Sequence, residues 1–256
     1  MKILLTGATG YIGKRLLPVL LEEGHEVWCC VRDKKRFLPP DIPTGKVRTI
    51  TVDFLKKESL GPEAPDTFDV AYYLMHSLAS KVNAFEDLEE KVVGNFLRSV
   101  AEKDLQQIIY LSGMVNTTEL SVHLRSRLKV EEMLNEGPTP VTTLRAGIIV
   151  GSGSASFEII RDLVEKLPVM VAPRWLNTKI QPIAIRDVIN LLRKVKGAEK
   201  YYGQHYDVGG PDVLTYREML LIYSQVRGLK RYIFTLPVMT PRLSSYWLYF
   251  VTSTSY

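Results

Sequence analysis

A glycine-spaced turn near the amino terminus constrains the fold of this 256-residue chain more than any other feature. Residues 6–13 read Thr-Gly-Ala-Thr-Gly-Tyr-Ile-Gly and lie between an apolar run, Lys2 to Thr6, and an amphipathic segment that ends near Gly24. An apolar run without polar alternation is typical of a strand buried on both faces of a parallel sheet. With a second apolar run at Glu26 to Val31, the order predicts a βαβ unit.

The three glycines of this turn have different predicted tasks. Gly7 permits a sharp turn, Gly10 allows phosphate oxygens to approach the backbone, and Gly13 allows the helix to lie close to the strand. The N–H groups that begin the helix, at the positive end of its dipole, then face an anion. A structural turn without a ligand is the alternative. The βαβ context favours a site for a dinucleotide pyrophosphate, formed by Thr6, Gly7, Thr9, Gly10, Tyr11, Ile12 and Gly13.

Strand-like and helical segments alternate through the first two thirds of the chain. This order predicts an α/β fold, a Rossmann-like doubly wound parallel sheet with a small C-terminal substrate-binding region. The later predicted strands cover 47–52, 69–74, 107–111 and 141–145, and the predicted helices between them cover 83–103 and 124–135. We expect residues 1–150 to form the nucleotide-binding core.

From Gly151 onward the pattern changes to loop-like sequence, and residues 167–182 carry prolines without clear periodicity. We expect residues 151–256 to form a smaller substrate or lid region interleaved with the core. The aromatic and apolar run at 244–251 precedes the end of the chain at Tyr256. It indicates either a truncation before a further C-terminal domain or a terminal helix that docks on its own domain.

Composition limits the classes of partner. The formal charge is +5, but basic residues are interspersed with acidic ones, which argues against nucleic acid. No stretch approaches the ~20 apolar residues of a membrane span, and the first strand leaves no room for a signal peptide. Cys29 and Cys30 are neighbours in one strand and face opposite sides, so we expect no disulfide and a cytoplasmic location. His25 and His205 lack carboxylates at ligand spacing, so we expect no metal site.

Several motifs together resemble the extended and atypical short-chain dehydrogenase/reductase superfamily, and within it the branch of NmrA-like regulators and the NADPH-binding accessory subunit of mitochondrial complex I. They are the turn at 6–13, Leu144 to Gly151, Gln181 to Val188, Tyr206 to Pro211 and Leu214 to Met219. The resemblance implies a nicotinamide dinucleotide as cofactor. It also implies that Asp53 and Phe54 meet the adenine, and that Leu74 and His76, after the next strand, lie beside the cofactor. For His76, a packed loop histidine is the alternative.

Two adjacent residues after the second strand bear on the choice of cofactor. An acidic side chain there accepts hydrogen bonds from a free 2′-hydroxyl, whereas arginine binds a 2′-phosphate. Arg32 and Asp33 stand together at this place, followed by Lys34, Lys35 and Arg36. The Val-Arg-Asp pattern resembles NADP-preferring atypical members, so we expect NADP(H) to be favoured over NAD(H), with Arg32 on the phosphate. The alternative is a pair of solvated charges.

The resemblance also locates the catalytic segment, where this chain departs from the family. Such enzymes use a serine and a Tyr-x-x-x-Lys pair, in which tyrosinate exchanges the proton and lysine lowers its pKa. Ser112 is retained, but His123 and Arg127 replace the tyrosine and the lysine. The i, i+4 spacing keeps these two on one helical face, and histidine titrates near neutral pH. They either line the nicotinamide end or form a surface pair that replaced a lost active site.

Three functions follow from these motifs. The favoured one is an NADP(H)-binding oxidoreductase that acts on a small carbonyl-type substrate. A nucleotide-sugar epimerase or dehydratase is the second, although the missing tyrosine counts against it. A non-catalytic NADPH-sensing or assembly module is the third, and the replaced residues favour it. A homo-oligomer or a partner protein remains open in every case.

Overall fold

The computed structural model describes residues 1–40, 42–43, 45–56, 59–76, 85–115 and 122–236. The aromatic segment at 244–251 lies outside them. The chain divides into two compact units. The first comprises Met1–Ala146 and Arg186–Val208, and the second Gly147–Ile185 and Gly209–Tyr256. The chain therefore enters the second unit, returns to the first and then leaves it again.

A seven-stranded parallel sheet forms the centre of the first unit, as predicted. Its strand order is β13-β8-β7-β5-β1-β2-β3. The central strands β1 and β5 are apolar and almost entirely buried, which is what a strand covered on both faces requires. The strands of this sheet are β1 (Lys2–Leu5), β2 (Glu26–Val31), β3 (Lys46–Thr51), β5 (Val70–Tyr73), β7 (Ile108–Gly113), β8 (Val141–Ala146) and β13 (His205–Val208). A separate two-stranded sheet pairs β4 (Thr67–Phe68) with β6 (Asp104–Leu105) in parallel.

Helices pack on both faces of this sheet. The helices of the unit are α1 (Gly13–Glu22), α2 (Phe85–Val100), α3 (Val122–Asn135) and α5 (Ile185–Val195). Tyr73 joins a core cluster with Phe96 of α2 and Val130 of α3. Its neighbour Tyr72 donates a hydrogen bond to the carbonyl of Leu192 in α5, at 3.0 Å. Because successive side chains of a strand point to opposite faces, α5 lies across the sheet from α2 and α3.

The second unit has its own apolar core, which α4 (Ala155–Lys166) and α6 (Tyr216–Val226) supply together with β10 (Val169–Pro173) and β15 (Tyr232–Leu236). β10 pairs with β15 in parallel. The expectation of a loop without regular structure over 167–182 is therefore wrong for residues 169–173. Shorter pairs join β9 (Ile149–Val150) to β12 (Ile183–Ala184) and β11 (Lys179–Ile180) to β14 (Leu214–Thr215).

Two of the composition-based expectations can be compared with this structure. Cys29 and Cys30 are both buried and both free of disulfide bonds. None of the helices in the described ranges is both long and apolar enough to cross a membrane.

Candidate functional site

The glycine turn between β1 and α1 depends on a close approach to the end of β5. Gly7 has a φ of 66°, a backbone conformation that residues with a Cβ rarely adopt. A Cβ on Gly7 would lie 2.5 Å from the carbonyl oxygen of Leu74. A Cβ on Gly13 would lie 2.3 Å from the carbonyl oxygen of Gly7. The turn therefore folds against both its own helix and β5 only because these positions are glycine.

The start of α1 leaves backbone donors available. Ile12 occupies the N-cap position, where its apolar side chain accepts no hydrogen bond, and the first turn contains no acidic residue. The N–H groups of Tyr11, Ile12 and Gly13 donate no hydrogen bond to another described residue. Lys14 and Arg15 follow at once, although cations are unfavourable at the positive end of a helix. Backbone donors without a partner among the described residues, an uncapped helix and two nearby cations fit the phosphates of a dinucleotide.

The side chains of Thr6 and Tyr11 contact other parts of the protein: the Thr6 hydroxyl forms hydrogen bonds, and the Tyr11 ring contacts Arg15. Thr9 and Gly10 are exposed. The Thr6 hydroxyl donates to the carbonyl of Tyr72 at 2.9 Å and accepts from the N–H of Leu74 at 3.1 Å, so it ties β1 to β5. The Arg15 guanidinium lies 3.9 Å from the centre of the Tyr11 ring. The Tyr11 hydroxyl is buried and has no hydrogen-bond partner among the described residues. Thr6 therefore shapes the turn rather than presenting its hydroxyl to a ligand.

The end of β2 separates the two charges that bear on the cofactor. Arg32 is exposed and makes no hydrogen bond or ion pair within the described ranges. The Asp33 carboxylate accepts a hydrogen bond from the N–H of Lys35 at 2.9 Å and so caps the short 3₁₀ helix Lys34–Arg36. The acidic side chain is thus engaged with its own backbone, and the guanidinium points to solvent at the carboxyl edge of the sheet.

Asp53 and Phe54 follow β3, where the resemblance implied contact with adenine. Asp53 is partly buried, and its Oδ1 accepts from the N–H of Leu55 at 3.2 Å. Phe54 is 4% exposed, and its ring packs edge-on against Phe96 with centroids 5.8 Å apart. The Phe54 carbonyl accepts a hydrogen bond from Asn95. Phe54 therefore belongs to the core, and Asp53 is the member of this pair that remains accessible.

Two histidines meet beyond the end of β5. His76 is exposed, and its Nδ1 lies 3.3 Å from Oε1 of Glu89 in α2. Glu89 is 6% exposed. The His76 ring lies edge-on to that of His123 in the first turn of α3, with centroids 6.5 Å apart. The structure thus brings together one residue predicted to contact cofactor and one predicted to exchange protons.

Ser112 and Arg127 lie where β7 meets α3. Ser112 is 2% exposed, and its Oγ has no hydrogen-bond partner among the described residues. A Cβ on Gly113 would lie 2.8 Å from Leu124 and 3.4 Å from Cδ of Arg127, so α3 rests directly on the end of this strand. Arg127 is partly buried, and its carbonyl accepts a hydrogen bond from the Tyr110 hydroxyl at 3.2 Å.

Tyr110 does not replace the missing tyrosine of the family pattern. Burial raises the pKa of Tyr110 to about 12, and the carboxylate of Glu89 acts in the same direction against a lowering influence of Arg127. A phenol in this state keeps its proton at neutral pH.

Sequence reasoning missed Glu89, Arg15 and the pair formed by Glu131 and Arg145. Glu89 stands in an acidic stretch of α2 that looks like a solvated helix face. Arg15 carried a usable signal, because a cation in the first turn of a helix is disfavoured unless an anion is near. Glu131 and Arg145 are joined by the fold alone, since they lie on α3 and β8.

The fold and the glycine turn are those of a Rossmann-type nucleotide-binding protein. Residues 3–114 match the model of the NAD dependent epimerase/dehydratase family. The match spans 112 of the 256 residues and agrees with the predicted resemblance to the short-chain dehydrogenase/reductase superfamily. A comparison with curated proteins gave no significant match.

Solved structures of similar fold cover nearly the whole chain. An epimerase from Methanothermobacter thermautotrophicus has a TM-score of 0.76 at 13% identity, over 100% of this chain and 88% of that one. UDP-glucose 4-epimerase of Thermotoga maritima, with UDP-glucose, has a TM-score of 0.72 at 13% identity, over 94% and 87%. UDP-glucuronic acid 4-epimerase of Bacillus cereus, in complex with UDP-glucuronic acid and NAD, has a TM-score of 0.71 at 17% identity, over 100% and 95%. At these identities the likeness concerns the fold.

Proposed function

We propose that this protein binds NADP(H) and transfers hydride to or from a small carbonyl-type substrate. One observation carries the cofactor assignment: the uncapped start of α1 lies at the same sheet edge as the exposed guanidinium of Arg32. The amides of Tyr11, Ile12 and Gly13 would hold the pyrophosphate, and Arg32 would bind the 2′-phosphate. The cofactor supplies hydride chemistry when bound, and the chain supplies binding, orientation and a proton.

The engagement of Asp33 supports the preference for NADP(H). A carboxylate that repels a 2′-phosphate would favour NAD(H), but Asp33 accepts a hydrogen bond from Lys35 and caps the following 3₁₀ helix. The three cationic residues that follow Asp33 in the sequence are exposed: Lys34, Lys35 and Arg36. The local charge therefore favours an additional phosphate.

Calorimetric titration with NADPH and with NADH tests the cofactor assignment. The Arg32→Ala variant should bind NADPH about tenfold to a hundredfold more weakly, which corresponds to loss of one charge-assisted hydrogen bond, and should bind NADH unchanged. Arg36→Ala is the matched control, because it removes the same charge from the same exposed run. Equal weakening by both variants, or tighter binding of NADH by the wild type, would contradict the assignment.

Nucleotide-sugar epimerisation is the second candidate, and the family match over residues 3–114 favours it. The same purified protein decides between the candidates when cofactor absorbance is followed with panels of carbonyl compounds and nucleotide sugars. Net oxidation of NADPH supports the reductase. Conversion of sugars without net change of cofactor supports the epimerase. Tight NADPH binding without turnover of either panel supports the non-catalytic sensor, for which the replacement of Tyr-x-x-x-Lys by His123 and Arg127 is the argument.

A further inference from the structure

Glu89 is a buried carboxylate whose position needs an explanation. It is 6% exposed and lies early in α2, which begins at Phe85. Burying an ionised carboxylate is costly unless a donor or a cation faces it. The imidazole of His76 does so, with Nδ1 3.3 Å from Oε1. A carboxylate that holds one ring nitrogen fixes the tautomer and the orientation of the other.

The location of this pair links it to the cofactor site. Leu74 contacts the glycine turn at Gly7, and His76 follows two residues later. The His123 ring lies edge-on to that of His76, with centroids 6.5 Å apart, so the first turn of α3 lies beside the His76 ring. The pair therefore lies at the carboxyl edge of the sheet, where ligands of this fold class bind.

We propose that His76, oriented by Glu89, is the group that exchanges a proton with the substrate oxygen. This inference rests on the proposed function. The Glu89 carboxylate, 3.3 Å from Nδ1, favours a proton on that nitrogen, so Nε2, on the opposite side of the ring, is the nitrogen assigned to the substrate proton. In reduction the carbonyl carbon accepts hydride, the π electron pair moves to oxygen, and oxygen takes the proton from Nε2. The alcohol leaves, and Nε2 regains a proton from solvent.

The other polar groups nearby are less suited to this task. Ser112 is 2% exposed, and the pKa of Tyr110 is raised to about 12 by burial. Arg127 carries a guanidinium, a group that donates hydrogen bonds but does not exchange protons in proteins. Glu89 acts through His76 and is therefore a positioning residue.

Two-bond ¹H–¹⁵N spectra of the histidine rings test the inference without a substrate. The chain has four histidines, and a His76→Gln variant assigns the relevant signal. At alkaline pH the His76 ring should carry its proton on Nδ1, and Glu89→Gln should change this tautomer population. Saturating NADP⁺ should shift the signals of His76 and His123. It should leave those of His25 and His205, which lie at the opposite edge before β2 and at the start of β13, unchanged. A proton on Nε2 in the wild type, or NADP⁺ shifts confined to His25 and His205, would overturn the proposal.

Kinetics with a carbonyl compound that the panel identifies give the second test. His76→Gln should lower kcat by about 10²- to 10⁴-fold and leave the NADPH Kd within about twofold. Glu89→Gln should lower kcat less, and the double variant should be no slower than His76→Gln, because Glu89 acts only through His76. His205→Gln is the control. Additive losses, or full kcat in His76→Gln, would overturn the proposal. Absence of NADPH binding in the wild type would instead refute the proposed function, and the tautomer result would still decide the pairing.

Discussion

Glu131 of α3 holds Arg145 of β8 in a two-pronged ion pair, with Oε1 2.8 Å from Nη2 and Oε2 3.1 Å from Nε. Glu131 is 5% exposed, so removal of its carboxylate leaves a partly buried guanidinium without its hydrogen-bonded partner. We expect Glu131→Ala to lower the free energy of unfolding by about 3–5 kcal/mol. Glu132→Ala is the matched control, because its pair with Lys129 is exposed and should contribute less than about 1 kcal/mol. Urea unfolding measures both, and equal losses would contradict the expectation.

Because Gly7 lies close to Leu74, we expect a side chain at position 7 to reduce stability by more than backbone strain alone would. Gly7 and Gly61 have φ values of 66° and 76°, so alanine is strained at both. A Cβ on Gly61 meets nothing within 4 Å, whereas one on Gly7 meets the Leu74 carbonyl at 2.5 Å. Gly61→Ala should cost about 1 kcal/mol, and Gly7→Ala should cost clearly more and weaken NADPH binding. Thermal unfolding and calorimetry measure the two effects, and indistinguishable variants would refute the argument.

We expect the free energy of unfolding to depend on pH through His25. Burial and the nearby charge of Lys196 hold the pKa of His25 below its usual 6.5, although Glu23 opposes the shift. The unfolded chain therefore binds more protons than the folded chain between the two values. Stability contributed by neutral His25 is present above pH 6.5 and is lost as the pH falls below it.

Denaturant unfolding at a series of pH values measures this effect. His25→Gln should reduce the fall in free energy of unfolding between about pH 7 and pH 5.5, the range in which an ordinary histidine titrates. His205→Gln, at an exposed position, should leave the fall unchanged. A steeper fall in His25→Gln would reverse the predicted sign.

The two cysteines should be unreactive in the folded protein. Cys29 is 0% exposed and Cys30 6% exposed. Burial raises the pKa of Cys29 to about 12 and raises that of Cys30 as well. Since the thiolate is the nucleophile, a thiol reagent at neutral pH should react rapidly with neither residue until denaturant is added. Rapid reaction of either thiol without denaturant would contradict the burial.

The strands of the central sheet could be predicted because their local sequences are unambiguous. Glu26–Val31 agrees with the structure at both ends, since Gly24, with a φ of 77°, terminates the preceding helix. β10 was missed for a physical reason. Met170 and Ala172 are buried while Val169 and Val171 are exposed, and because all four are apolar the alternation is invisible in the sequence. Its partner, β15, is also far away along the chain.

The candidate site was predictable where the backbone forms it and not where distant side chains meet. The glycines of residues 7–13 act through their own geometry, so their spacing alone predicts the turn. Glu89 is a carboxylate in a helix with several others, and only tertiary packing distinguishes it from Glu90. Its pairing with His76 is set by the meeting of α2 with the end of β5.

The sheet of the first unit is completed by β13, a strand that follows a segment of the second unit in the sequence. It pairs with β8 (Val141–Ala146), yet the 39 residues Gly147–Ile185 of the second unit lie between the two strands in the sequence. A nascent chain that has emerged only as far as Ala146 therefore carries six of the seven strands and an open hydrogen-bonding edge on β8. An expression fragment ending there would keep the nucleotide turn but expose this edge to other chains. A fragment for separate study of the first unit should therefore extend through Val208.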